Sequence, residues 1–121
     1  MVRKMVPEPK PEWWPEHLEI ESSVVDVSQL VVPLQMFLAS AAAVHYSMFR
    51  LPLIITSAND GNHAHDSKHY LWKAVDIRSR DLTSDQEDIF ARSLVGMQRI
   101  PQVGIFDERY IGQPHWHVEA A

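Results

Sequence analysis

The stretch Ser67-Lys68-His69-Tyr70-Leu71-Trp72-Lys73-Ala74-Val75-Asp76-Ile77-Arg78 sets a histidine in polar surroundings and then runs into an alternating segment. From Lys73 to Arg78 the alternation is that of a strand. Val75 and Ile77 fall on one face; Ala74, Asp76 and Arg78 fall on the other. If Val75 and Ile77 enter a core, Asp76 is presented on the opposite, polar face. A second segment near the C-terminus, Pro114-His115-Trp116-His117-Val118-Glu119, alternates in the same way. His115, His117 and Glu119 share one face, and Trp116 and Val118 share the other.

With His63 and His65 just ahead of the first segment, the two stretches hold five of the seven histidines. His69, Asp76 and His117 together supply two imidazoles and a carboxylate. That set suits zinc and leaves a coordination position open for water, which marks a catalytic rather than a structural site. Two residues apart on a strand, His115 and His117 stand roughly 6–7 Å from each other, too far to share one ion easily. The spacing suits one ligand and one neighbour that meets the substrate. His69 and Asp76 can be brought together by a loop followed by a strand. Hydrolysis is the leading expectation.

A chain of 121 residues makes one small domain. It has no cysteine, so zinc must be held by histidine and carboxylate. A formal charge of −5 with scattered basic residues offers no footprint for nucleic acid. No apolar run is long enough to span a membrane, since Leu30 to Val44 is broken by Pro33, Gln35 and Ser40. The N-terminus has no secretory pattern, so synthesis in the cytoplasm is expected.

Residues 1–20 carry Pro7, Pro9, Pro11 and Pro15 and read as an extended N-terminal arm, with residues 21–121 as the single domain. Trp13 and Trp14 are expected to pin that arm to the domain. Apolar residues recur at helical spacing from Leu34 to Phe49, with Pro33 suited to the first turn and His45 at the edge of the core. Leu53-Ile54-Ile55-Thr56 reads as a buried strand. Ser84-Asp85-Gln86-Glu87 has the form of a capping box and predicts a helix over 85–98, buried through Ile89, Phe90, Leu94 and Met97. Strands are predicted over 102–106 and 116–119, with a polar turn through Asp107-Glu108-Arg109 after the first. The expected fold is α+β, a small antiparallel sheet with two main helices packed on it.

Ser67-x-His69-x6-Asp76, ending in Ala74-Val75-Asp76-Ile77 and followed by His115-x-His117, resembles the zinc D-Ala-D-Ala carboxypeptidase and L-alanyl-D-glutamate endopeptidase family. Phage-type cell-wall peptidases (endolysins) belong to that family, and the Hedgehog signalling domain shares its fold. The resemblance spans about residues 34–119 and includes Ile54 to Gly61, which look like the strand and turn leading into the site. It implies that His69, Asp76 and His117 bind zinc and that Ser67 contacts substrate. His115 would then polarise the scissile carbonyl or hold its oxyanion, and His63 would line the cleft. There are departures. Trp72 stands where the family usually has glycine, and would close over or narrow the cleft. Asn59-Asp60 stand where carboxypeptidase members offer an arginine. Ile111 to Pro114 fill an interval in which several branches place an acid.

A base is needed to take a proton from the attacking water. Glu108 and Asp107 are the nearest acids, with Glu108 preferred. An equally ordinary reading of Asp107-Glu108-Arg109 is a solvated hairpin turn. The expected function is a zinc metallopeptidase, a cell-wall hydrolase that cuts an amide in peptidoglycan stem peptides and reaches the wall by a route other than its own signal. A monomer with no membrane or nucleic-acid partner is expected. The alternative is a catalytically inactive zinc-containing binding module of the same fold. Metal analysis of the purified protein should return zinc at about one equivalent, and His69→Ala should lose it.

Overall fold

The computed structural model describes residues 5–59, 72–97, 102–110 and 114–121. In chain order the elements are β1 (Leu18–Ile20), α1 (Val32–Phe49), β2 (Leu53–Ser57), β3 (Ala74–Arg78), α2 (Ser84–Met97), β4 (Val103–Asp107) and β5 (His115–Ala120). The architecture is α+β: a five-stranded sheet in the order β1-β2-β3-β5-β4, with two helices. The sheet is mixed rather than antiparallel. β1 runs parallel to β2, whereas β2–β3, β3–β5 and β5–β4 are antiparallel. The cause is the β1-α1-β2 connection: a helix carries the chain back to the end where it began, so the next strand enters parallel.

β1 lies at the end of the proline-rich segment that reads as an arm. It pairs Leu18 with Leu53 and Ile20 with Ile55, and both Leu18 and Ile20 are buried. Trp14 is buried too, and its indole N–H donates to the Leu18 carbonyl at 2.9 Å. The Ile20 N–H donates to the Met5 carbonyl at 3.0 Å, which draws the preceding chain alongside the strand.

Pro occupies the start of α1, where a missing N–H costs nothing, and Leu34, Phe37, Leu38, Ala41, Ala42 and His45 form its buried stripe. Arg50 ends the helix in the left-handed region and donates its N–H to the Tyr46 carbonyl at 2.8 Å. Pro52 follows. His45 Nδ1 lies 2.8 Å from the Leu51 carbonyl, to which it donates, and burial pushes its pKa below the ordinary value. No described helix is long and apolar enough to cross a membrane.

α2 is capped one residue earlier than the Ser84 pattern suggests. Gln86 N–H donates to Thr83 Oγ1 at 3.2 Å, and Thr83 N–H donates to Gln86 Oε1 at 2.9 Å, so Thr83-x-x-Gln86 is the reciprocal box. Phe90 and Leu94 are its buried residues, and Met97 packs against the core. Ile89 is exposed, because the helix turns it away from the sheet.

One face of the sheet makes the core. Val75, Ile77, Trp116 and Val118 are fully or almost fully buried beside the residues of both helices. Phe90 of α2 meets the Trp116 ring edge to face, with centroids 5.5 Å apart. The opposite face carries Asp76, His115, His117 and Glu119. Replacing Thr83 by Ala should lower unfolding stability by about 1 kcal/mol, whereas Ser84→Ala should leave it nearly unchanged. Urea unfolding midpoints of the two variants would check the cap position.

Candidate metal centre

Strand pairing places the site. β3 and β5 pair Asp76 with His117, and β5 and β4 pair His117 with Phe106. Side chains of directly opposed residues share a face, so Asp76 and His117 are neighbours because the ladder makes them so. On the other flank, the β2–β3 register shifts between Ile55 and Ser57, and this irregularity sets Ser57 opposite Asp76.

His117 is held at both ring nitrogens. Nδ1 lies 2.9 Å from Asp76 Oδ1, and Nε2 lies 2.9 Å from Glu119 Oε1. A carboxylate at each ring nitrogen favours the protonated form of the ring. The hydrogen bond to Asp76 is the main cause of its raised pKa; burial opposes it, and Glu119 adds to the rise. His115, two residues away, points its Nε2 at Glu108 Oε1 at 2.8 Å, with Asp76 Oδ1 at 3.9 Å. Glu108 sits just beyond β4 and is positioned by the ladder, for its N–H donates to the His115 carbonyl at 3.1 Å.

Asp76, Glu108 and His117 each offer a ligand atom, and these atoms lie within 4.8 Å of one another. This group could hold a metal ion. The donor chemistry fits: one imidazole with carboxylate oxygens suits zinc and other first-row divalent ions. Bonds of about 2.0–2.2 Å to one ion require that group to draw in slightly. With Nδ1 turned to the ion, His117 would keep its Nε2–H donated to Glu119, the usual carboxylate support of a ligating histidine. Asp76 and His117 are only 16% and 17% exposed, whereas Glu108 is 37% exposed and stands on the solvent side.

Asp107 stands apart from this group. It is paired with Trp116 and shares that residue's face, away from His117. Arg109 holds its carboxylate with hydrogen bonds of 2.8 and 2.6 Å and keeps its pKa low. Trp72 also lies elsewhere. It packs against the core, its carbonyl accepts from Val31 N–H at 3.1 Å, and its φ of 59° is one that glycine adopts without cost. His63, His65, Ser67 and His69 lie outside the described residues.

The alternation of Glu119 with His117 points to a residue that orients a ligand, and the Glu119 carboxylate lies on His117 Nε2. Arg109 had no local signal. Its guanidinium is 9% exposed, bridges Asp107 to Glu87 and Asp88 of α2, and lies 5.5 Å from the Trp116 ring centroid. It thereby ties the segment bearing Glu108 to the start of α2.

Because folding raises the His117 pKa, its contribution to stability is complete below the ordinary value of 6.5 and is lost as pH rises through the folded value. The chelator-treated protein should therefore lose stability from mildly acid to mildly alkaline pH more steeply than Asp76→Asn treated alike, as read from denaturant midpoints. Comparison with known protein families finds no matching family model, and comparison with curated proteins finds no match.

Proposed function

We propose that this protein is a zinc-dependent peptidase that hydrolyses an amide bond in peptidoglycan stem peptides. The observation that carries the reading is the convergence of Asp76, Glu108 and His117 on the open face of the sheet, with His115 hydrogen-bonded to Glu108. The resemblance of the Ser67-to-Asp76 and His115-to-His117 segments to zinc cell-wall peptidases supports the substrate class.

In this reading His69, Asp76 and His117 hold zinc. A zinc ion so held supplies Lewis acidity toward a carbonyl and lowers the pKa of water toward 7. The chain's own residues do the rest. Glu108, on the solvent side, accepts a proton at its carboxylate and passes it to the leaving amine. His115 Nε2–H, donated to Glu108 in the resting arrangement, becomes available to the substrate oxygen once Glu108 has taken up that proton. Glu119 keeps the His117 ring in one orientation and one tautomer.

A second reading is a zinc-containing binding module. It is favoured by the closeness of Glu108 to Asp76 and His117, which would let Glu108 serve as a ligand instead of as the base. Zinc-loaded protein on isolated cell walls separates the two. Wild type should release new amino termini, His117→Ala should not, and Glu108→Gln should bind zinc while losing roughly 10²–10⁴-fold in rate. Tight zinc binding without release of amino termini by wild type would favour the module. Full activity in Glu108→Gln would remove Glu108 as the base.

A further inference from the structure

Phe106 stands on the polar face of the sheet with half of its ring in solvent, 49% exposed. Its position is set by the ladder. It pairs with His117, and the two ring centroids are 5.8 Å apart, tilted by 53°. The row across the sheet therefore reads Ser57, Asp76, His117, Phe106, with the three polar residues ending at one aromatic wall.

The ring is also held in place from below. A Cβ added to Gly104 would stand 3.3 Å from Phe106 Cε2, so the ring lies over the glycine. Burying apolar area is the main source of affinity such a ring can offer, and it has no polar group to contribute. Neighbouring strands are about 4.8 Å apart, so Phe106 is one strand spacing from His117.

We infer that Phe106 is a specificity-determining residue that packs against the apolar side chain of the residue adjoining the cleaved amide. The inference rests on the peptidase reading above and deepens it: the peptide must carry an aliphatic side chain, not glycine, beside the scissile bond. His117 and Asp76 place the amide, Phe106 selects what flanks it, and Gly104 keeps the selecting ring low on the strand.

The test uses zinc-loaded full-length protein and two synthetic peptides. One is the stem pentapeptide L-Ala-γ-D-Glu-L-Lys-D-Ala-D-Ala; the other has glycine at every alanine position. Burial of the one methyl that meets Phe106 predicts that wild type binds the alanine peptide at least about fourfold more tightly, as read by titration calorimetry. Phe106→Ser should lower that ratio about fourfold with zinc content unchanged, and Phe106→Leu, which keeps an apolar contact, should retain most of the preference. An undiminished ratio in Phe106→Ser, a wild type with no preference, or a wild type that binds neither peptide overturns the inference. Cleavage of the pentapeptide is scored separately. A preference that depends on Phe106 without cleavage contradicts only the catalytic reading, and cleavage with a preference that ignores Phe106 contradicts only this one.

Discussion

The register between β3 and β5 is the constraint on which the open face of the sheet depends. Asp76 opposite His117 and Ile77 opposite Trp116 are two consequences of one alignment. Because side chains alternate with a period of two, a slip of one residue would carry Trp116 and Val118 into solvent and drive His117 and Glu119 into the core. Burial of Trp116 against Phe90 thus acts as the lock on the site, although neither ring touches it. The free energy that selects the register comes from the apolar face, and the chemistry is displayed on the other.

The polar face would be a liability without a cation. Asp76, Glu108 and Glu119 gather around two imidazoles, and the structure balances part of that charge by holding His117 between two carboxylates. Occupation by a divalent ion would take over that role and release the proton from Nδ1, so metal binding and proton loss are linked. Across the sheet, Arg109 performs the same service for Asp107, Glu87 and Asp88. Two neighbouring acids at the end of β4 therefore have different fates. Asp107 is neutralised by a nearly buried guanidinium, whereas Glu108 faces His115 and the solvent.

Most of this organisation is written in local periodicity. The alternations of Val75 to Ile77 and His115 to Glu119 mark their core and polar faces, and the helical recurrence from Leu34 to Phe49 lies within α1. What escapes a local reading are features set by partners distant in the chain. β1 has only three residues beside a run of prolines, and it is a strand because β2 pairs with it. The acids at the start of α2 look like a solvated first turn until Arg109 is brought beneath them. The difference between Asp107 and Glu108 follows from strand parity, which requires the exact end of β4 to be known. Thr83 and Ser84 both match a cap pattern, and only the hydrogen bonds distinguish them.

The central claim is that the β3–β5 ladder builds a metal centre on Asp76 and His117. The most direct measurement is a crystal structure of the zinc-loaded protein with diffraction recorded on both sides of the zinc absorption edge. The account predicts one strong anomalous peak on the open face of the sheet, about 2.0–2.2 Å from an Asp76 carboxylate oxygen and from His117 Nδ1. An anomalous peak placed elsewhere, or none at a site where Asp76 and His117 remain hydrogen-bonded to each other, would contradict it.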